Sequence, residues 1–326
     1  MKMGIIGAGV IAGVMAGTIS EMDDVERTAI AARDLERAQD FAEAYGFKKA
    51  YGSYEELLAD PEVELVYMAL PHSHHCEWTM KALNAGKHVL CEKAFAVNEE
   101  EARQMIDLAK EKGLLLAEAI WTRYMPSRKI IDDLVASGVI GEVQNITANL
   151  GYKIDMRERL IKPELAGGAL LDLTVYPLNF ASMVFGDEIK EIDASCTMTD
   201  TGVDGQDSVT IRYKDGKIAT LFATIHTLTD RRGMIYGRDG LIEVQNINNP
   251  EVIRVWSNDT HPLMRLVEEI KVPEQITGYE YEVEACARAI AAGLTECPEM
   301  PHSETLEIMR QMDYIRSKWS AKGDRI

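Results

Sequence analysis

The chain is poor in positive charge. Thirty-five Lys and Arg face 53 Asp and Glu, a formal net charge of −18. A nucleic-acid surface needs a basic stripe, so that class of partner is excluded. A small anionic ligand held by a few local cations is not. Cysteine is scarce too. Cys76, Cys91, Cys196, Cys286 and Cys297 are scattered, form no C-x-x-C pair and are odd in number. That pattern fits reduced thiols in a cytosolic protein better than a disulfide framework. Internal repeats and low-complexity linkers are missing, and so is a long unbroken apolar run. The nearest candidate runs from Lys2 to Ile19, where a signal peptide is the rival reading. Gly4, Gly7, Gly9, Gly13 and Gly17 interrupt it, whereas a spanning helix wants about 20 apolar residues. The segment is read as part of the mature fold, with no membrane partner.

What is present begins at that same segment. With 326 residues there is room for two domains. "KMGIIGAGVIAG" gives a strand, Met3 to Ile6, followed by Gly7-Ala8-Gly9-Val10-Ile11-Ala12, the G-x-G-x-x-A form of a dinucleotide fingerprint. Gly7 allows the tight turn and Gly9 lets backbone approach a pyrophosphate. Ala12 lets the next helix pack near the strand, aiming its amides at the phosphates. Gly-rich turns are common, so context has to carry the assignment. A second strand follows at Glu26 to Ala31, then the helix "DLERAQDFAEAYG", stopped by Gly46.

The end of that second strand bears on the cofactor. An NAD site wants an acid there for the ribose 2′-hydroxyl. This chain reads Ala31-Ala32-Arg33-Asp34, with Arg37 one turn on. A guanidinium at this point can fork onto a 2′-phosphate. Asp34 read as the NAD acid, or Arg33 as a solvated helix-start residue, are the alternatives. NADP(H) is expected over NAD(H).

Strand and helix keep alternating to about Glu118. Ser53 and Glu56 form a capping box, "ELVYMAL" is a buried strand, and "HCEWTMKALNAG" is a helix. "KHVLCEK", a helix from Asn98 to Gly113 and the strand "LLLAEA" follow. This is the rhythm of a doubly wound parallel sheet, the Rossmann arrangement, whose ligands sit beyond the carboxyl ends of the strands. Leu70, Pro71 and His72 stand at one such end, Glu92 and Lys93 at another. In "PHSHH" (71–75), no nearby carboxylate or cysteine spacing completes a zinc site, so no metal is expected; His75 is read as ordering the loop.

From residue 121 the pattern changes. A helix around Ser127 to Ser137 leads into the long strand "EVQNITANLGY", and a helical stretch spans Leu170 to Phe185. Strand-like runs follow: "EIDASCTMT", "QDSVTIRY", "KIATLFATIHT", "RRGMIYG" and "GLIEVQN", with a hairpin at Lys214-Asp215-Gly216. The expectation is a second, α+β domain with a mainly antiparallel sheet, closed by two terminal helices. The domains are expected as residues 1–120 and 121–326. Within "GGALLDLTVYPLNF", Asp172 and Tyr176 are four apart, on one face if helical. A packed core tyrosine, a helix-capping Asp172 and a snorkelling surface Lys93 are the plain alternatives.

"GKHVLCEKAFAVN", "AEAIWTRYMP", "GGALLDLTVYPLNFASMVFG" and "TGVDGQDSVT" resemble the Gfo/Idh/MocA oxidoreductase family, most of all its dimeric dihydrodiol dehydrogenase branch. The resemblance covers nearly the whole chain in order. It implies a Rossmann domain plus an open-faced, mainly antiparallel sheet domain that mediates assembly as a homodimer or dimer of dimers. It implies Lys93 as the lysine bridging cofactor and substrate, Glu92 beside the nicotinamide ribose, and Tyr176 as acid/base with Asp172 as acidic partner. Pro71, His72 and His75 fall on the cofactor-side loop, and Trp121 and Arg123 near nicotinamide and substrate. Ala94 stands where the family has proline, so a looser turn after Lys93 is expected. A free tyrosine, with a pKa of about 10, is a poor base at neutral pH, and a nearby ammonium lowers that value.

Three functions follow from the resemblance. The first is an NADP-dependent dehydrogenase acting on a cyclic polyol, either a trans-dihydrodiol or C1 of a sugar. The second is a sugar–sugar oxidoreductase with tightly held cofactor. The third is a non-catalytic dinucleotide-binding regulator. Lys93, Asp172 and Tyr176 together favour an enzyme.

Overall fold

Alternating strands and capped helices build the first unit. In the computed structural model, which describes residues 1–260 and 263–322, six strands share one sheet. They are β1 (Lys2–Ile6), β2 (Glu26–Ala31), β3 (Lys49–Tyr51), β4 (Leu65–Met68), β5 (His88–Glu92) and β6 (Leu116–Ala119). Their order is β3-β2-β1-β4-β5-β6, and every neighbouring pair is parallel. Strands β4 and β6 are buried throughout, as a parallel sheet covered on both faces requires. The helices begin and end where the sequence signals place them. Asp34, Ser53 and Asn98 accept hydrogen bonds from the backbone N–H groups of Glu36, Glu56 and Glu101 at 2.9, 3.3 and 2.8 Å. Gly46 and Gly113 close helices in the left-handed region, at φ 71° and 65°. The three-residue β3 is too short to leave a periodic signal in the sequence.

A late segment returns to this unit. Its members are Met1–Tyr124 and Gln275–Met309, while the second unit takes Met125–Glu274 and Arg310–Ile326. The chain therefore does not divide into two consecutive blocks at residue 120. The physical reason lies at β6. Leu116 N–H donates to the Thr295 carbonyl at 3.0 Å, and the His302 ring Nε2 lies 2.8 Å from the Leu116 carbonyl oxygen. The Thr305 hydroxyl donates to the Glu118 carboxylate at 2.8 Å, and Arg123 pairs with Glu304 at 3.1 Å. The helix Glu280–Ala291 thus belongs with the parallel sheet.

The second unit holds β7 (Val143–Gly151), β8 (Ile189–Met198), β9 (Asp204–Tyr213), β10 (Ile218–Thr224), β11 (Gly233–Gly237), β12 (Gly240–Val244), β13 (Val252–Thr260) and β14 (Leu263–Lys271). The order is β14-β13-β12-β11-β7-β10-β9-β8. All neighbours are antiparallel except β7 and β10, which run parallel. The expected β9–β10 hairpin is present. Val209, Ile211, Ala219, Leu221 and Ala223 turn inward, while Ser208, Arg212, Thr220 and Phe222 alternate outward. Helix Val175–Phe185 packs against β7 and β10. Sequence alone did not reveal β13 and β14. Nearly all of β14 is exposed, on both faces, so it lacks the alternation by which a strand is recognised.

The return segment carries a testable electrostatic signature. Glu118 is buried, and its pKa is pushed up to about 7. Burial is the main cause and the nearby Glu92 charge adds to it, against Thr305 and Arg123. An acid whose folded pKa exceeds its unfolded value of about 4.3 stabilises the fold below that value and loses the contribution as pH rises through 7. Wild-type stability should therefore fall between pH 5 and 8 by on the order of 1–3 kcal/mol more than that of Glu118→Gln. Urea midpoints of both proteins across this window check it; parallel curves would refute the assignment.

Candidate active site

The site of the first unit is built at the carboxyl ends of β1, β4 and β5. After β1 the chain turns at Gly7 with φ 102°, pressed against the Ala69 carbonyl where a Cβ would overlap it. Only glycine fits both constraints. Gly9 is different: a Cβ there would meet no protein atom within 4 Å, so its backbone faces open space. Val10 is exposed, Ile11 is half-buried, and Ala12 is fully buried against the sheet. Among the described residues, no side chain caps helix Val10–Ser20 and its first turn holds no acid. Its N-terminal amides are thus left for an anion.

Arg33 and Arg37 are both exposed at the end of β2, and Arg37 donates to the Ala8 carbonyl at 2.6 Å. Arg37, Phe41 and Tyr45 line a depression of about 590 Å³ with Ala8 and Gly9. Both guanidiniums act on the ring hydroxyl of Tyr54, whose pKa burial raises and their charges lower. The carboxylate of Asp34 caps the following helix. These features fit the phosphate-bearing part of a dinucleotide: open backbone at Gly9, unopposed helix amides, and two cations at the β2 end.

The ends of β4 and β5 are tied together by His75, which is fully buried. Its Nδ1 lies 2.9 Å from the Ala94 carbonyl oxygen and its Nε2 2.8 Å from that of Leu70. Burial lowers its pKa, against the carbonyls of Leu70, Ala94 and Phe95. Pro71 opens the short turn His72–His74, and the His72 ring meets His75 edge-on at 5.7 Å. Glu92, at the last position of β5, is buried and accepts hydrogen bonds from the Tyr67 hydroxyl and from Lys93 N–H at 3.2 Å. The Lys93–Ala94 peptide bond is cis, and Ala94 is fully buried, in the position where looseness was expected. Lys93 itself is half-buried.

Tyr67 and Glu282 escaped the sequence reading. Tyr67 is a hydroxyl inside an apolar strand, which signals a buried partner; Glu282 gave no signal. Both oxygens of Glu282 are buried with no hydrogen-bond partner. Burial, then the Glu92 charge, hold its pKa well above the usual carboxylate range. Trp121 stacks on Tyr279 with ring centroids 4.2 Å apart, and Arg123 is buried against Glu304.

In the second unit, Asp172 and Tyr176 are both buried. Asp172 lies in a π-helical turn, Leu170–Thr174, and Tyr176 in the α-helix that continues it, Val175–Phe185. The four-residue spacing thus crosses a change of helix type. Asp172 accepts a forked pair from Arg159, at 2.7 and 3.4 Å. Arg159 is a partner that no sequence spacing announced.

Residues 1–119 match the model of an oxidoreductase family with an NAD-binding Rossmann fold, and residues 129–243 match the GFO/IDH/MocA C-terminal domain. Trans-1,2-dihydrobenzene-1,2-diol dehydrogenase of Danio rerio is 34% identical over 297 residues, covering 88% of this chain and 87% of that one. The Homo sapiens protein of the same name is 32% identical, covering 97% and 96%. A 3-ketoreductase from Actinomadura kijaniata, solved with NADP and TDP-benzene, superposes with a TM-score of 0.88 at 27% identity, covering 98% of each chain. A levoglucosan dehydrogenase solved with NADH and L-sorbose shares the fold, with a TM-score of 0.86 at 21% identity. With both domain models matched in order, the chain belongs to the Gfo/Idh/MocA family of oxidoreductases, with an NAD(P)-binding Rossmann domain.

Proposed function

We propose that this oxidoreductase is an NADP-dependent dehydrogenase acting on an alcohol carbon of a cyclic polyol, either a trans-dihydrodiol or C1 of a sugar. The observation that carries the reading is the meeting of three features at adjacent strand ends. They are the open glycine turn after β1, the His75-tied loop after β4, and Glu92–Lys93 after β5. The dihydrodiol dehydrogenases, about one-third identical over most of their length, support the substrate class. Arg33 and Arg37, with Asp34 occupied as a helix cap, support NADP over NAD.

Gly7, Gly9, Val10, Ile11 and Ala12 would hold the pyrophosphate through backbone, with Leu70, Pro71 and His72 along the nicotinamide side. When bound, the nicotinamide supplies the hydride acceptor. The Tyr176 hydroxyl would take the proton from the substrate hydroxyl, with Asp172 as its acidic partner and Lys93 as the cation that favours the phenolate. Glu92, held by Tyr67, would steady the turn carrying Lys93. Trp121 and Arg123 would border the substrate.

Cofactor choice is checked by titrating NADP⁺ and NAD⁺ against Arg33→Ala. NADP⁺ binding should weaken by roughly 1.5–3 kcal/mol with NAD⁺ little changed; equal losses would remove the 2′-phosphate role.

Tyr176→Phe keeps the ring and removes the hydroxyl. With NADP⁺ and trans-1,2-dihydrobenzene-1,2-diol as probe, turnover should drop roughly 10²–10⁴-fold while NADP⁺ affinity holds. Near-normal turnover would overturn the assignment.

A homodimer, or dimer of dimers, through the outer face of the second sheet completes the proposal. Phe222 alternates outward on that sheet and is an exposed apolar residue that assembly would cover. Light scattering at micromolar concentration should give at least twice the chain mass; a monomer would contradict it.

A further inference from the structure

We infer that Asp204 and Asp207 share one proton, and that this carboxyl pair is the positioning device for the helix bearing Asp172 and Tyr176. The inference rests on the proposed role of Tyr176. Both residues lie near the start of β9, in the stretch "TGVDGQDSVT", and both are buried. Together they grip the two ends of the π-helical turn Leu170–Thr174. Asp204 Oδ2 accepts the Leu170 N–H at 2.5 Å, and Asp207 Oδ2 accepts the Thr174 hydroxyl at 2.6 Å. Gly168, at φ 113°, has its backbone against the Asp204 carboxyl, where any Cβ would collide with it. The turn gripped in this way contains Asp172 and leads directly into the helix of Tyr176.

The shared proton follows from donor and acceptor counting. The two carboxyls meet the same five-residue turn, and Asp204 acts on Asp207 both by charge and through a side-chain hydrogen bond. Ionised carboxylates only accept, so with both charged Asp207 Oδ1 is buried with no partner. One proton between them supplies the missing donor, and two adjacent buried carboxylates cannot both ionise near neutrality. The surroundings agree. Burial is the main force raising both groups, Asp204 to about 6 and Asp207 well above the usual range. Arg316 of the last helix, itself paired with Asp313 at 2.7 Å, is the cation acting on Asp204. His226 faces Gly205 between the two acids and pairs with Asp155 at 3.1 Å. Within the gripped turn, Asp172 is paired with Arg159.

As pH rises and the proton leaves, two like charges face each other and the grip on Leu170 and Thr174 weakens. A misplacement of about 1 Å can cost up to about 10²-fold in rate. An acid raised in the folded state stabilises below its unfolded pKa and loses that contribution as pH climbs through the folded one.

Asp207→Asn tests this, because the amide cannot titrate, still accepts from Thr174 and can donate to Asp204. The first readout needs no substrate: melting temperature from pH 5 to 9, wild type against variant. The wild type should lose more melting temperature over this range than Asp207→Asn; parallel curves overturn the shared proton. The second is kcat against pH with NADP⁺ and trans-1,2-dihydrobenzene-1,2-diol as probe. Wild type should show an alkaline fall of about tenfold that Asp207→Asn removes. An identical fall in the variant overturns positioning while leaving the shared proton standing. Asp204→Asn carries the same comparison should Asp207→Asn not fold. Failure of the Tyr176 reading shows separately, as full turnover in Tyr176→Phe, and leaves the melting comparison unaffected.

Discussion

A buried carboxylate, Glu92, is the constraint on which the first unit's site depends. A carboxyl group taken out of water costs several kcal/mol unless hydrogen bonds replace its hydration. Here the replacement comes from the Tyr67 hydroxyl on the neighbouring strand and from the next backbone N–H, that of Lys93. The Tyr67 donor is set by strand register, because β4 and β5 pair with Met68 beside Cys91. Burial holds Glu282 well above the usual carboxylate range and raises Glu118 to about 7, and in each the Glu92 charge adds to it. The same turn is fixed from the other side by His75, which joins Leu70 to Ala94. The Lys93 backbone is thus set by two strands and a loop rather than by a proline.

The second unit handles buried charge by the same physics with different residues. Asp172 is answered by the guanidinium of Arg159, a forked contact that suits a planar carboxylate. Asp204 and Asp207 accept from Leu170 N–H and the Thr174 hydroxyl, neither of them charged, and burial drives both acids toward protonation. The excess of acidic residues in the chain is therefore not only a solvated surface.

Much of this was legible in the sequence, and the gaps have physical causes. The glycine turn, the capping residues Ser53, Asn98 and Gly113, and the hairpin at Lys214-Asp215-Gly216 are local signals, and the elements they predict are present. The parallel β7–β10 neighbours and the return of Gln275–Met309 to β6 depend on partners far apart in the chain. No periodicity encodes them. Strand β14 lacked a signal because it hides neither face. Arg33, Glu92 and Lys93 stand out by type at the ends of strands, and Tyr176 stood out through the family resemblance, whereas Tyr67 and Arg159 act through contacts 13 or more residues away. Their roles appear only once the chain is folded.

The central claim is that these strand ends form a hydride-transfer site, and isotope transfer tests it most directly. Trans-1,2-dihydrobenzene-1,2-diol and a panel of cyclic sugars, each deuterated at the carbinol carbon, would be incubated with the protein and NADP⁺. The account predicts that the reduced cofactor recovered with an accepted substrate carries deuterium at C4 of the nicotinamide, and that the rate shows a primary isotope effect. Cofactor recovered unlabelled and unreduced across the panel would contradict it.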